Sequence, residues 1–253
     1  MGRLEGSVAW VTGSSRGIGA EIARLFAKEG AAVALHGRDE AAASAVAGTI
    51  WQDGGKVCVT LGDVTRAVDL ERMNAQIEAE LGPIDILVAN AGGNFVPLGP
   101  AELIPEDGWR ITIDGNLTAT FLTTRSVLPG MKKRKRGRIV TVSSAAARRA
   151  NGVSPIAYAA AKAGIEIFTQ HLAAQVGPWN IRANCIAPET ILTKRNLKRI
   201  PQAQQEELAD EHPLKRLGTP RDVADAALFF ASEASAWITG TVLDVAGGAV
   251  MVR

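Results

Sequence analysis

A tyrosine and a lysine four residues apart, Tyr158-Ala-Ala-Ala-Lys162, stand on one face of any helix that holds them, because residues at i and i+4 are surface neighbours. A fixed ammonium beside a phenol favours the tyrosinate. It brings a side chain with an ordinary pKa of about 10 toward the range where protons are exchanged near neutral pH. Tyr158 is the only tyrosine in 253 residues, so no second phenol competes for the role. Taken alone, the pair also fits a half-buried tyrosine with a lysine snorkelling past it. A second chemical signature stands near the start of the chain. Thr12-Gly-Ser-Ser-Arg-Gly-Ile-Gly19 follows a short apolar run and precedes a helical pattern. Glycines there let the backbone approach a ligand closely, and the free N–H groups and positive dipole end of the helix favour a phosphate. The spacing is G-x-x-x-G-x-G rather than G-x-G-x-x-G, and such a turn also occurs without a ligand.

These residues need elements to place them. Apolar runs of strand length fall at Ser7–Thr12, Ala32–His36, Val57–Leu61, Ile84–Ala89, Arg138–Ser143, Ile181–Ile186 and Thr241–Val245. Helical patterns fill the intervals: one running through Glu29, then Glu40–Gln52, Val68–Leu81, Pro105–Met131, Pro155–Val176 and Pro220–Ala231. The segment Ala187–Thr219 reads as long and irregular, with one short helix near Gln202–Asp210. Strands alternating with helices of this length imply βαβ units with right-handed crossovers and a buried parallel sheet. The expectation is a single doubly wound α/β domain spanning residues 1–253, with helices on both faces of the sheet. In such sheets ligands bind beyond the carboxyl ends of the strands, where strand order reverses. Gly13–Gly19, Asp63, Asn90–Gly92, Ser143 and Ser144, and Pro188 all follow predicted strands and so converge on that edge.

Composition narrows the class. With 47% hydrophobic and 21% charged residues the chain has the balance of an ordinary globular protein, and a net charge of +2 does not by itself imply a nucleic-acid partner. The basic run Lys132-Lys-Arg-Lys-Arg136 reads as a solvated face. Cys58 and Cys185 lie far apart in apolar runs and read as reduced core residues of a cytoplasmic protein. No apolar run approaches the ~20 residues that span a bilayer. His36, His171 and His212 match no metal-ligand spacing, so no metal is expected.

The ordered set Thr12–Gly19, Asn90-Ala-Gly92, Asn116, Ser144, Tyr158-x-x-x-Lys162 and Asn184-x-x-x-Pro188 resembles the classical short-chain dehydrogenases/reductases along essentially the whole chain. The resemblance implies a Rossmann-type NAD(P)-binding domain. It implies that Tyr158 is the general acid/base, that Lys162 holds the nicotinamide ribose and lowers the tyrosine pKa, that Ser144 binds the substrate oxygen, and that Asn116 supports a water chain. It assigns the dinucleotide to Thr12, Gly13, Gly17 and Gly19, with Ser15, Arg16 and Ile18 completing the turn. It places Asp63 and Val64 at the adenine, Asn90 beside the cofactor and Thr193 at the carboxamide. These roles make chemical sense: reducing a ketone needs a hydride on carbon and a proton on oxygen, and two hydroxyls can stabilise that oxygen while one releases its proton.

The resemblance is strongest to 3-oxoacyl-[acyl-carrier-protein] reductases of fatty acid biosynthesis, which implies a cytoplasmic homotetramer using NADP(H). The position after strand two where NAD-binding members carry an acid is Gly37, followed by Arg38, and Arg16 lies inside the glycine turn; two guanidiniums suit a 2′-phosphate. Asp39 is the alternative, as a ribose ligand. Two positions depart from the family. Glu189 stands where a glycine is usual, and can constrain its loop, repel an anion or face solvent; Trp179 stands near a position usually occupied by a basic carrier-docking residue. Arg148 and Arg149 suit an anionic or phosphopantetheine-linked substrate, or a solvated surface, and the substrate wall is expected at 94–99, 145–154 and 191–214. The alternatives are a reductase of another small ketone, sugar or steroid alcohol, and a non-catalytic NADP-binding sensor.

Overall fold

The computed structural model of the chain describes residues 2–150 and 154–251. Seven strands, β1 (Val8–Val11), β2 (Ala32–Gly37), β3 (Val57–Leu61), β4 (Ile86–Ala89), β5 (Gly137–Val142), β6 (Ile181–Pro188) and β7 (Val242–Val245), form one sheet in the order β3-β2-β1-β4-β5-β6-β7. Every pairing is parallel. Strand order reverses at β1, which lies between β2 and β4. A parallel sheet is covered on both faces, and β1 and β4 are buried at every position, as their unbroken apolar sequence requires.

Side chains alternate between the faces along each strand. Ala9, Val11, Val33, Leu35, Val88 and Val140 pack on one side with α1 (Gly17–Lys28), α2 (Glu40–Gln52) and α10 (Pro220–Ala231). Val8, Trp10, Ala34, Leu87 and Ile139 pack on the other with α3 (Ala67–Glu80), α5 (Ala119–Arg134) and α7 (Ile156–Val176). The helix α10 opens on a capping box between Thr219 and Asp222 with a proline in its first turn. The Arg216 guanidinium, bonded to Asp222, holds that carboxyl well below the usual range.

Two regions differ from the sequence expectation. The helical stretch expected over Pro105–Met131 is α4 (Glu106–Ile113), a π turn at Asp114–Thr118 and then α5. A widened turn of this kind adds one residue inside an otherwise helical stretch, so the flanking 3.6-residue patterns read from sequence as one helix. The irregular segment holds two helices, α8 (Lys194–Arg199) and α9 (Gln202–Glu211); α8 is short and polar and has no buried face to betray it. Strand β6 also runs on to Pro188, held by pairing with β7.

The basic run ends α5 and lies at the amino-terminal edge of the sheet, opposite the expected ligand edge. Lys135 takes a left-handed conformation that terminates the helix. Lys132 Nζ stacks 4.1 Å from the centre of the Trp179 ring, Arg134 donates to Ile84 O at 2.6 Å, and Arg136 lies 3.6 Å from Asp85. Cations at a helix C-terminus also complement its dipole.

Candidate active site

The glycine turn is compressed between α1 and the end of β4. Gly13 has φ +64°, and a Cβ there would sit 2.9 Å from Ala91 Cα; at Gly19 it would sit 2.4 Å from Gly13 O. No larger residue fits either place. Asn90 Nδ2 donates to Thr12 O and Gly13 O at 2.9 and 3.2 Å, and Thr12 Oγ1 accepts from the amides of Asn90 and Ala91, each at 3.0 Å. Thr12 is only 1% exposed. The Thr12 hydroxyl and the Asn90 side-chain amide therefore brace the turn from within. The helix α1 begins at Gly17 with neither a side-chain cap nor an acid in its first turn. That leaves first-turn amides at Gly17, Ile18 and Gly19 without a side-chain acceptor, the cradle that a phosphate fits.

His36, which the sequence reading treats only as a failed metal ligand, sits behind this turn. Its Nδ1 accepts from Gly13 N at 3.0 Å, Nε2 lies 3.1 Å from Gly62 O, and its own amide donates to Ser14 Oγ at 2.9 Å. Arg38 is exposed at the end of β2. Burial tends to raise the Asp63 pKa, but hydrogen bonds from Thr65 and the nearby Arg38 and Arg66 charges hold it below the usual value. Arg16 pairs with Asp39 at 3.1 Å, and Asp39 also caps α2 by accepting from Ala42 N.

On the other side of the crevice Ser144 caps α6 (Ala145–Arg148), its Oγ accepting from Ala146 N at 3.2 Å. Tyr158 enters from α7 and brings its hydroxyl near the Ser144 side chain. Burial pushes the Tyr158 phenol up, and the nearby Ser144 side chain opposes that rise in part. Lys162 Nζ donates to Val142 O at 2.8 Å and lies 5.6 Å from the centre of the Tyr158 ring. Lys162 is itself 3% exposed, and burial brings its pKa down to about 8.

Asn116 is buried on the π turn. Its Nδ2 donates to Gly93 O and Thr112 O, both at 2.8 Å, and its Oδ1 accepts from Gly93 N at 3.0 Å. The side-chain amide thus shapes the turn after β4. A Cβ on Gly164 would meet Leu117 Cδ2 at 2.8 Å, so this glycine, two residues after Lys162, lets the π turn nest against α7.

Arg148 is also reassigned. Its guanidinium bonds Glu166 Oε2 at 3.0 Å and Asp244 at 2.9 and 3.4 Å, while Ser143 Oγ donates to Glu166 Oε1 at 2.8 Å. This half-buried triad ties α6, α7 and β7 together and engages the positive charge that an anionic substrate needs; Arg149 donates to Ala249 O. Glu166 was legible, since it extends the Tyr158 and Lys162 face by one more turn. Glu189 resolves to the first of its three options: it constrains the loop, accepting from Thr190 and lying 2.9 Å from the buried His212 Nε2. Thr193 caps α8, and its methyl carbon lies 3.4 Å from where a Cβ on Gly17 would stand, so the segment crosses the glycine turn. Of the expected substrate wall, positions 151–153 lie outside the described residues.

The residues present fit a dinucleotide: phosphate-ready amides at Gly17–Gly19, close glycines at Gly13 and Gly19, and Asp63 at the next turn but one. When bound, a nicotinamide supplies the hydride. The chain supplies two hydroxyls, Ser144 and Tyr158, for the oxygen that accumulates charge.

Comparison with known proteins agrees with this geometry. A family model described as enoyl-(acyl carrier protein) reductase matches residues 13–250. The 3-oxoacyl-[acyl-carrier-protein] reductase FabG of Chlamydia muridarum is 41% identical over 249 residues, covering 97% of this chain and 98% of that protein. The 7alpha-hydroxysteroid dehydrogenase of Escherichia coli is 36% identical over 249 residues, covering 98% and 96%. A solved 7alpha-hydroxysteroid dehydrogenase complexed with NADH and 7-oxo glycochenodeoxycholic acid has a TM-score of 0.92 at 36% identity, covering 99% of this chain and 96% of that one. A gluconate 5-dehydrogenase of Burkholderia cenocepacia in complex with NADP and tartrate has a TM-score of 0.90 at 31% identity, covering 98% and 96%. With a seven-stranded parallel sheet, a dinucleotide-shaped glycine turn and a Ser–Tyr–Lys cluster on its carboxyl edge, the chain belongs to the short-chain dehydrogenase/reductase family of nicotinamide-dependent oxidoreductases acting on CH–OH and C=O groups.

Proposed function

We propose that the chain is a single-domain NADPH-dependent carbonyl reductase whose substrate is a 3-oxoacyl thioester. The observation that carries the reaction is the placement of the Tyr158 phenol near Ser144 and beside the buried Lys162. In this reading Ser144 and Tyr158 grip the carbonyl oxygen, Tyr158 donates its proton as the hydride arrives, and Lys162 holds the nicotinamide ribose. Gly13, Ser15, Gly17, Ile18 and Gly19 line the pyrophosphate, Asp63 and Val64 the adenine, and Asn90 and Thr193 the nicotinamide end.

The choice of NADPH is supported by Gly37, where a ribose-binding carboxylate is missing, and by Arg16 and the exposed Arg38 nearby. A 2′-phosphate at Arg16 competes with Asp39 for the same guanidinium. The thioester is supported by the 41% identity to a 3-oxoacyl reductase. The engagement of Arg148 by Glu166 and Asp244 favours a second reading, a neutral small ketone or a sugar or steroid alcohol. A homotetramer in the cytoplasm accords with the apolar face that α5 and α7 expose through Phe121 and Ile167. No helix among the described residues is long and apolar enough to cross a membrane. The test is NADPH oxidation against 3-oxoacyl thioesters, small β-keto esters, sugars and steroid ketones. Highest kcat/KM on a thioester upholds the reading; turnover confined to another class replaces it.

A further inference from the structure

His36 carries an inference that rests on the dinucleotide reading of the Gly13–Gly19 turn. The residue is 4% exposed, and each of its side-chain nitrogens is committed. Gly13 N–H can only donate and Gly62 O can only accept, so the ring is the neutral tautomer with its hydrogen on Nε2. Gly13 opens the phosphate-side turn after β1, and Gly62 opens the adenine-side turn after β3, just before Asp63 and Val64. The imidazole is thus a spacer crossing beneath β2's end, with one nitrogen on each turn. Burial keeps it neutral; of the charged groups facing it, Asp63 favours its protonation and Arg38 opposes it.

We propose that His36 is a positioning residue for dinucleotide binding, setting the phosphate-side turn against the adenine-side turn by accepting from Gly13 and donating to Gly62. The acceptor half is decisive. A buried amide left without an acceptor is costly, and Gly13, the most conformationally free residue type, relieves that cost by rotating its peptide out of the orientation the turn requires.

Three substitutions separate the two halves of the contact. His36→Asn keeps an acceptor near the Nδ1 position and loses the donor to Gly62. His36→Gln keeps a donor near the Nε2 position and leaves Gly13 N–H unpaired, and His36→Leu removes both. Dissociation constants for NADPH are measured on the full chain by fluorescence titration, together with the melting temperature. At about 1.4 kcal/mol per tenfold, loss of the acceptor should weaken NADPH by roughly tenfold in the Gln and Leu variants, and by about threefold or less in the Asn variant. Equal affinities for the Asn and Gln variants overturn the proposal, as do lowered melting temperatures with unchanged affinity in all three. If the Leu variant does not fold, the Asn and Gln pair still decides. A wild type that binds neither NADPH nor NADH refutes the dinucleotide reading and this inference with it.

Discussion

Replacing Tyr158 by phenylalanine removes one hydroxyl and keeps the ring, so it separates proton donation from packing. In the structure that hydroxyl lies near Ser144, and burial holds the phenol above its ordinary value of 10.0. A donor so placed stays protonated throughout the neutral range, the form needed to deliver a proton in carbonyl reduction. The reverse reaction needs the phenolate and should accelerate as pH rises toward the phenol pKa. Loss of a positioned acid costs ~10²–10⁴ in kcat, equivalent to roughly 3–5 kcal/mol of barrier at 1.36 kcal/mol per decade. Ser144 remains to polarise the carbonyl, so the residual rate should stay above the uncatalysed one. Lys162 is anchored on Val142 O and not on the missing hydroxyl, so its position should survive. NADPH affinity should therefore change by no more than about threefold, leaving the loss in kcat. Steady-state turnover at saturating NADPH, a fluorescence titration of the cofactor and rates in both directions from pH 6 to 10 supply the measurements. Turnover within a few-fold of wild type would refute the assignment. Parallel losses in affinity and kcat would instead make Tyr158 a cofactor anchor.

Arg38→Ala should weaken NADPH by about 10- to 100-fold and leave NADH nearly unchanged, at roughly 1.5–3 kcal/mol per bond to a charged group; parallel losses for both would promote Asp39 as an NAD-selecting carboxylate. Glu189→Gly removes the carboxylate that contacts the buried His212 Nε2 and the Thr190 amide, so the substrate KM should rise more than kcat changes, with about 1–3 kcal/mol of stability lost. A lowered melting temperature with unaltered kinetics would show Glu189 to be structural only. Arg148→Met strands the buried Glu166 and the half-buried Asp244 carboxylates and should cost ~2 kcal/mol, lowering the melting temperature by roughly 4–8 °C; a shift under about 2 °C contradicts the triad. His36 is depressed by burial, so native protein binds fewer protons there than unfolded chain. Its contribution is complete above the unfolded value of about 6.5 and is lost as pH falls toward the folded pKa, so denaturant titrations should show wild type losing more stability than His36→Asn between pH 7 and 5.

Much of this protein is written in local pattern. Alternating apolar runs and helical periods are enough to imply a parallel sheet, and with it the edge at which Gly13–Gly19, Asp63, Asn90, Ser144 and Tyr158 gather, because strand ends in βαβ units share one side. The four-residue spacing of Tyr158 and Lys162 likewise survives in α7, since helical geometry alone sets it. What that spacing could not state was the direction of the Lys162 ammonium. Val142 O, twenty residues earlier in sequence, decides that. That Thr12 and Asn90 also brace the turn is not visible in the motif, because their partners lie across β1 and β4, 76 to 78 residues away. Arg148 looks free until Asp244, 96 residues on, is brought beside it by β7. Glu189 and His212 meet only when the segment after β6 folds back on itself. Periodicity reports which face of an element is buried; which buried acceptor a long polar side chain finds there depends on neighbours that only the packed structure brings within hydrogen-bonding range, about 3 Å.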